Sequence, residues 1–392
     1  MKKKIFLLFI SQLFIYSLFS ASVSVDELKI VADTHYNIDS QSIENNTYFK
    51  FITSFDGGYK FAAKVAFEAN VKELEKQYRN DSADFYNKVF MLFNHAEVMA
   101  RNLADSHLDL SFWTGTHKYL GSGNYYKGYL YYPESSDEDY LGFYRLRGTG
   151  ITTTFKFWQD RLRANFHFYE NTNFVDSKNP NAFYYFSFDS ELGLYFDEIP
   201  IQNDHFSLML ELFGGVTFPR SPAGEYKAGL TFGVGNDYID FFISAGLPKI
   251  DGTISNMTFD YFYLASDLHF KLFITDHTIS FLTRPLWFNE HKYGIDNEGE
   301  KSDFDINYKF LALTPDFPID AGFNINFKYS LNDLSDTWNL VLAPFMDISF
   351  SGIVWNIAAH YDFSRIYAGN LRNDSRVYLE GLKVVVAASA KF

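Results

Sequence analysis

The side chains of this 392-residue chain that could act on another molecule are charged residues set at alternate positions of apolar segments. Lys60 and Lys64 lie in one such segment, and Lys156 and Arg163 lie in two others. A polar stretch between them adds a group of aromatic and acidic residues: Tyr125, Tyr126, Glu134, Asp137, Glu138 and Asp139. Opposed charges of this kind orient and select polar solutes by electrostatics, without making or breaking a covalent bond.

Sequence motifs for covalent chemistry are missing from the chain. It contains no glycine-rich phosphate loop, no His-Glu-x-x-His and no Gly-x-Ser-x-Gly. The ten histidines are scattered without metal-ligand spacing, and there is no cysteine. An acidic run at 296–300 lacks the full spacing of a calcium loop and is interpreted as a solvated loop. We therefore predict no catalytic residue, no metal and no cofactor.

The charge balance narrows the class of partner. The formal net charge is −14, and the first 22 residues contribute three lysines and no acid, so the rest of the chain is more acidic still. Binding to nucleic acid requires basic clusters that neutralise phosphates. Nucleic acid is therefore excluded as a partner.

The elements that carry the charged residues are predicted to be β-strands. In residues 59–71, apolar residues such as Phe61 and Phe67 occupy odd positions, whereas Lys60 and Lys64 occupy even ones. The same period of two recurs at 205–218, 224–234, 238–247, 320–330 and 352–363. An amphipathic helix would space its apolar residues three and four apart. The pattern predicts strands with one apolar and one polar face, and it explains why 20% aromatic residues coexist with a slightly negative mean hydropathy.

The polar faces define what the interior of a barrel built from these strands would contain. If the apolar stripes face lipid, the alternate residues face the lumen. The lumenal candidates of both signs are nearly balanced: Lys60, Lys64, Lys156, Arg163, Lys227, Lys271, Arg284, Lys309, Lys328, Lys383, Glu68, Asp109, Asp189, Glu191, Glu211, Asp240, Asp260, Asp305 and Asp362. A wall of mixed charge indicates water rather than a packed core, and barrels of 16–18 strands leave an aqueous channel.

The number of strands follows from parity, because both ends of the chain must lie on the side of the short turns. The predicted strands are 27–36, 48–55, 59–71, 89–101, 106–115, 141–158, 161–169, 183–196, 205–218, 224–234, 238–247, 256–273, 278–287, 303–313, 320–330, 337–346, 352–363 and 376–392. We predict an all-β, antiparallel, up-and-down transmembrane barrel of eighteen strands. Sixteen is the alternative, since 27–36 and 89–101 have the weakest patterns.

Connections of alternating length support the same architecture. Short turns are predicted at 56–58, 102–106, 159–160, 235–237 and 275–277, and longer polar loops at 37–47, 72–88, 116–140, 171–181 and 289–302. Short periplasmic turns and long extracellular loops are typical of outer-membrane barrels. Within 256–273 the apolar stripe moves from odd residues such as Tyr263 to even ones such as Leu268, which predicts a β-bulge near 266–267.

The beginning of the chain has the pattern of a cleaved secretory signal. Lys2, Lys3 and Lys4 precede an apolar run over 5–19, and small residues follow at 20–22. We predict a signal peptide at 1–22 and a barrel domain at 23–392. No later run of 18 apolar residues predicts a transmembrane helix.

The end of the chain is an alternating segment that stops at Phe392. A closed barrel needs its last strand to pair with the first, which here would be 27–36. The segment resembles the C-terminal strand of Gram-negative outer-membrane β-barrels. The resemblance implies that outer-membrane lipid surrounds the barrel, that the barrel-assembly machinery recognises Phe392, and that the protein lies in the cell outer membrane.

The longest predicted loop, 116–140, is the third on the outer side and is rich in glycine and tyrosine before it turns acidic. Here the whole chain resembles, in architecture, the general and sugar-specific porins, in which the third long loop folds into the lumen. The resemblance implies that the acidic residues from Glu134 to Asp139 oppose Lys156 and Arg163 across a constriction, with Tyr125 and Tyr126 nearby. The alternative is a solvated surface loop. A homotrimer is compatible with the resemblance.

These features predict passive diffusion of small polar solutes, such as ions, sugars and nutrients, through a water-filled lumen. One alternative is a fatty-acid-type transporter of hydrophobic substrates. It ranks lower because such barrels carry an N-terminal plug, and the segment 25–45 is too short and too polar to form one. Another is an adhesin that presents binding loops on a passive barrel. An outer-membrane hydrolase ranks last.

Overall fold

The computed structural model describes residues 22–37, 41–58, 60–72, 89–103, 106–121, 143–171, 185–201, 204–218, 225–250, 262–284, 303–313, 318–330, 338–364 and 377–390. Its strands are β1 (Ser22–Asn37), β2 (Ser42–Asp56), β3 (Phe61–Lys72), β4 (Val89–Ala100), β5 (Leu108–Leu120), β6 (Tyr144–Phe157), β7 (Leu162–Asn171), β8 (Phe186–Ile201), β9 (Asp204–Phe218), β10 (Glu225–Gly235), β11 (Ile239–Ile250), β12 (Tyr263–Leu272), β13 (Thr275–Arg284), β14 (Asp303–Ala312), β15 (Ile319–Ser330), β16 (Trp338–Phe350), β17 (Ile353–Asp362) and β18 (Leu382–Ala390). A single helical turn, α1 (Val377–Glu380), precedes β18.

The eighteen strands form one closed antiparallel sheet. Each strand pairs with its neighbours in the chain, and β1 pairs with both β2 and β18. Closure leaves no sheet edge unpaired, as an up-and-down barrel requires. The predicted fold and the predicted strand count of eighteen are confirmed, including β1, whose sequence pattern was among the weakest.

The seam between β1 and β18 has the predicted partners. Pairing runs from Leu28 opposite Ala390 to His35 opposite Lys383. The Lys383 ammonium turns inward and lies 3.2 Å from the carboxylate of Asp33. Val386 is exposed on the outer surface, as predicted. Phe392 lies outside the residues that the structure describes.

The alternation of side chains divides the wall into an apolar outer face and an inner face of mixed character. On β9, Leu210 and Leu212 are exposed, whereas Glu211 and Phe213 between them are buried. The exposed fraction of Leu212 is 51% and that of Phe213 is 5%, so the two faces of one strand differ by an order of magnitude. The same contrast separates Leu230 from Thr231 on the neighbouring strand β10. An outer face of this kind requires an apolar surrounding.

Several sequence predictions about turns, strand ends and register are wrong. The turn expected at 275–277 consists of residues 273–274, because Thr275 already pairs with Leu272. The strand expected at 376–392 begins with the helical turn α1. The β1–β2 hairpin is tight rather than long, because pairing continues up to Asn37 opposite Ser42. The bulge expected at 266–267 does not exist: β12 keeps a continuous register with both β11 and β13. The apparent change of stripe has another cause, since Tyr263 belongs to the inner face and is buried.

The interior also differs from the predicted wholly hydrated wall, because inward side chains form two apolar clusters. The larger contains Trp113, Leu120, Phe143, Tyr144, Leu146, Tyr169, Phe213, Tyr263, Ala265 and Leu282. The smaller contains Val31, Phe345, Ala358, Val385 and Ala387. Part of the lumen is therefore filled by packed side chains, and the larger cluster adjoins the site described below. Among the helices in the described ranges, none is long and apolar enough to cross a membrane.

Candidate functional site

The end of the β5–β6 hairpin leaves the barrel wall. Strand β4 pairs with β5 only as far as Gly115, and β7 pairs with β6 only as far as Gly148. Beyond these two glycines, and within the described residues, β5 and β6 pair only with each other, from Thr116 opposite Arg147 to Leu120 opposite Tyr144. We call this two-stranded segment, residues 116–120 and 144–147, the ribbon.

Two local features bend the ribbon away from the wall. Gly115 and Gly148 face each other and have φ angles of 94° and 152°, which side-chain-bearing residues rarely adopt. A Cβ atom added at Gly148 would overlap the carbonyl oxygen of Glu170 on β7. Two positions after Gly115, His117 is an extra residue with no partner on β6, and so forms a β-bulge. The bulge changes which residues face inward, from Trp113 before it to Lys118 after it.

The tip of the ribbon packs inside the barrel. The ring of Phe143 lies 4.8 Å from the ring of Phe213 on β9 and 5.5 Å from the ring of Tyr263 on β12. The Thr231 hydroxyl on β10 donates a hydrogen bond to the carbonyl oxygen of Gly121, at 3.4 Å. Strands β9, β10 and β12 neighbour neither β5 nor β6 in the sheet. The hairpin therefore reaches across the interior and occupies part of the lumen.

A buried ion pair ties the ribbon to the wall. The Lys118 ammonium contacts the carboxylate of Glu191 on β8, which is 95% buried. Glu191 also accepts a hydrogen bond from the Asn165 amide at 2.9 Å and lies 3.4 Å from Nε2 of His167. A carboxylate removed from water is stable only with such charged and polar partners. Lys118 and Glu191 therefore fix the position of the ribbon.

A second buried pair lies beneath the ribbon. The Lys227 ammonium on β10 lies 2.9 Å from the carboxylate of Asp189 and 3.8 Å from the centre of the Tyr144 ring. The Tyr169 hydroxyl donates to Asp189 at 2.7 Å, and the Asn171 amide donates to the Tyr144 hydroxyl at 2.8 Å. A cation over an aromatic face is attracted by the ring quadrupole. These contacts hold the ribbon residue Tyr144 against the wall.

A cluster of two histidines and a glutamate lies where the ribbon leaves the wall. His95 and Glu97 project inward from β4, and His117 projects from the bulge in β5. The Nε2 atom of His95 lies 3.4 Å from Oε2 of Glu97, and Nδ1 of His117 lies 3.8 Å from the same oxygen. A cavity of about 90 Å³ adjoins Glu97 and His117 and extends to Thr152 and His167. The cluster and its cavity bring several polar side chains together beside the ribbon.

The site residues predicted from the sequence lie in several places. Lys156 is at the short-turn end of β6, far along the strand from the ribbon, and its ammonium lies 2.6 Å from the carboxylate of Asp109. Arg163 lies at the same end, where its Nε donates to the carbonyl oxygen of Asp160 and its guanidinium covers the ring of Tyr195. Lys156 and Arg163 have these partners because they lie next to the turn; the loop carboxylates expected to oppose them lie outside the described residues.

The other predicted site residues lie at the β2–β3 hairpin, on the inner wall or outside the described residues. Lys60 is exposed beside the β2–β3 turn, and half-buried Lys64 lies opposite Glu97 in the register of β3 and β4. Tyr125, Tyr126 and the four acidic residues fall within 122–142, outside the described residues: Glu134, Asp137, Glu138 and Asp139. The predicted lumenal positions of Asp189, Glu191 and Lys227 are confirmed.

Sequence reasoning missed the site on the ribbon. His117 was assigned to a loop because it is the bulged residue, at which the period of two is interrupted. His95 and Glu97 carried a usable signal, since they occupy alternate positions of one strand and so share a face. Their proximity to His117 depends on the pairing of β4 with β5, which no spacing in the sequence specifies.

Comparisons with known proteins give similarity in structure only. No family model matches the sequence, and no curated protein matches it. Among solved structures, OprB of Pseudomonas putida matches with a TM-score of 0.49 and 8% identity, over 95% of this chain and 94% of that one. OmpF of Salmonella typhi, in complex with daunomycin, matches with a TM-score of 0.46 and 9% identity, over 95% and 97% of the two chains.

A third similar structure is the anion-selective porin of Comamonas acidovorans, with a TM-score of 0.41 and 9% identity, over 95% of this chain and 99% of that one. The strand pairing of this chain defines its fold independently of these similarities. A closed, antiparallel, up-and-down barrel of eighteen strands, with charged side chains on its inner face, is a porin-like β-barrel.

Proposed function

We propose that this protein is an outer-membrane channel through which small polar solutes, such as ions, sugars and nutrients, diffuse passively. The observation that carries the proposal is the opposite character of the two faces of one closed wall. Leu212 and Leu230 are exposed outside, whereas Glu211 and Lys227 are buried inside. Lipid accommodates the first face, and buried charges on the second favour a hydrated, polar route.

The ribbon is proposed to set the width of this route. Its packed face carries Leu120, Tyr144 and Leu146, which are buried against the wall. Arg147 lies on its other face and is exposed. In this proposal, the loop carboxylates from Glu134 to Asp139 supply the negative side of a transverse field and Arg147 supplies the positive side.

The remaining envelope features belong to the same proposal. Residues 1–22 act as a cleaved export signal, and Phe392 serves as the signal for the barrel-assembly machinery. These steps place the mature chain, 23–392, in outer-membrane lipid. Both proposals rest on sequence patterns at the two ends of the chain.

Two other functions predict different measurements. An adhesin would use the barrel as a passive scaffold and would conduct no ions. A fatty-acid-type transporter would favour apolar solutes; the buried ion pair of Lys227 with Asp189 inside the lumen argues against an apolar route.

The test is the conductance of the purified protein in a planar lipid bilayer, together with the swelling of liposomes in sugars of increasing size. Stepwise ion conductance and entry of small sugars are expected. A variant in which residues 122–142 are replaced by a short Gly-Ser linker should conduct more, because the ribbon tip then carries no loop. A protein that inserts into the bilayer and conducts no ions would contradict the proposal. Unchanged conductance of the linker variant would show that the loop does not form the constriction.

A further inference from the structure

We propose that His95, Glu97 and His117 form a binding site for a divalent transition-metal cation of the zinc class on the lumen wall. One ligand atom from each residue lies within 4.8 Å of the other two. In a tetrahedral site with bonds of about 2.0–2.2 Å, ligand atoms are about 3.3 Å apart. The distances of 3.4 Å and 3.8 Å from Glu97 Oε2 to the two rings are close to this value.

Hydrogen bonds fix the tautomer of His117 that a metal needs. The carboxylate of Glu191 only accepts, so His167 donates to it from Nε2 and presents an unprotonated Nδ1 to the Thr152 hydroxyl, 2.8 Å away. Thr152 donates to that nitrogen. Its oxygen then accepts from Trp113 Nε1, at 2.9 Å, and from His117 Nε2, at 3.2 Å. A hydroxyl has this capacity of one donor and two acceptor positions.

The consequence is that neutral His117 carries its proton on Nε2 and directs the lone pair of Nδ1 at Glu97. The ring cannot rotate freely, because it is stacked on Trp113 with the ring centres 4.7 Å apart and an interplanar angle of 6°. Two acceptors, the Nδ1 lone pair and the Glu97 carboxylate, therefore face each other in a buried place. Within the described residues, His117 Nδ1 and Glu97 Oε1 have no hydrogen-bond partner. A cation at the cluster would coordinate His117 Nδ1 and the Glu97 carboxylate, whose Oε2 lies 3.8 Å from that nitrogen.

The wider arrangement matches the way proteins orient metal-binding imidazoles. The nitrogen of His117 that does not face the cluster is held by Thr152, which is the usual role of an outer partner. Three protein ligands leave a fourth position, and the adjoining cavity of about 90 Å³ has room for water there.

The ligand types select the class of metal. Two imidazoles and one carboxylate favour Zn²⁺ and its neighbours such as Co²⁺, Ni²⁺ and Cu²⁺ over Mg²⁺ and Ca²⁺, which prefer oxygen ligands. The competing explanation is a proton in place of the metal, giving an ion pair between a charged His117 and Glu97. The two explanations differ in whether the folded protein binds a metal ion or a proton at this cluster.

The test is titration of the purified, folded, chelator-treated full chain in detergent with Zn²⁺ alone, followed by calorimetry. One Zn²⁺ per chain is expected. His95→Gln, Glu97→Gln and His117→Gln should each weaken binding at least tenfold. His360→Gln is the matched control, because His360 is a buried histidine on β17 outside the cluster, and it should leave binding unchanged.

Two further measurements hold even if a ligand variant misfolds. Thr152→Val, which removes the hydroxyl that orients His117, should weaken Zn²⁺ binding by about 10–100-fold. X-ray absorption of the Zn²⁺-loaded wild-type chain should report two imidazole nitrogens and additional oxygen ligands. Absence of Zn²⁺ binding by the folded wild-type chain, or wild-type affinity for Zn²⁺ in all three ligand variants, would overturn the proposal. Neither result depends on whether the barrel conducts, so the outcome is separate from that of the proposed channel function.

Discussion

Gly115 on β5 lies directly opposite Gly148 on β6, and both have positive φ angles, 94° and 152°. This glycine pair marks the point at which the hairpin stops being wall and becomes ribbon, because the pairs to β4 and β7 that the structure describes end there. The bend allows the ribbon tip to reach β9, β10 and β12 inside the barrel. The position of the ribbon inside the barrel therefore depends on two residues that carry no side chain.

The first prediction concerns Gly148→Ala. The added Cβ would overlap the carbonyl oxygen of Glu170, and the alanine would have to adopt a φ of 152°. We expect a loss of unfolding free energy of about 1–3 kcal/mol, from overpacking and strain, and a larger single-channel conductance as the ribbon moves off the wall. Denaturant unfolding and bilayer recordings measure the two effects.

Gly352→Ala is the control for the backbone effect alone. Gly352 has a φ of 78°, but nothing lies within 4 Å of an added Cβ. It should cost about 1 kcal/mol and leave conductance unchanged. Equal conductance in both variants and the wild type would show that the ribbon does not limit the current.

The second prediction concerns the ion pair of Lys118 with Glu191. Lys118→Met leaves a carboxylate that is 95% buried without its cation. A fully buried pair loses about 3–5 kcal/mol when one partner is removed. Here we expect about 2–3 kcal/mol, because Lys118 is a third exposed and Asn165 still donates to Glu191.

The double variant Lys118→Met with Glu191→Gln separates repulsion from lost packing. Removing the charge of Glu191 should restore about half or more of the lost unfolding free energy, because no unpaired charge remains buried. A double variant whose loss equals the sum of the two single losses would mean that the two side chains are not coupled in the folded barrel.

Prediction from sequence succeeded where strands follow the alternation of apolar and polar residues. The period of two gave 205–218 for a strand that spans Asp204–Phe218, and parity recovered β1 from a weak pattern, since a barrel must close. It failed where the chain departs from that period. The bulge at His117 ended the predicted strand five residues before Leu120. The same bulge, together with pairing between β4 and β5, creates the His95–Glu97–His117 cluster, which no local pattern encodes.

The third prediction concerns ion selectivity. Arg147 lies on the face of the ribbon opposite Leu146, and it is exposed. Arg147→Glu changes the charge at the ribbon by two units, so the permeability ratio should shift toward cations. The measurement is the reversal potential across a salt gradient, and the shift should shrink at high salt because mobile ions screen the field.

Arg161→Glu makes the same charge change at an exposed residue of the β6–β7 turn, away from the ribbon. Its reversal potential should move less than that of Arg147→Glu. If both variants shift equally, the selectivity arises from the overall charge of the lumen rather than from the ribbon.

The fourth prediction concerns closure of the barrel. The last free edge of the sheet closes when β18 pairs with β1, from Leu28 opposite Ala390 to His35 opposite Lys383. Deleting Phe392 removes the residue proposed to be recognised during assembly, but it leaves these pairs intact. We expect several-fold less folded protein in the outer membrane, and unchanged single-channel conductance for the barrels that form.

Replacement of Phe392 by Tyr should preserve the yield, because the terminal aromatic ring remains. A full yield of folded barrels without Phe392 would contradict its proposed role, whereas a normal yield with altered conductance would assign the residue to the pore instead.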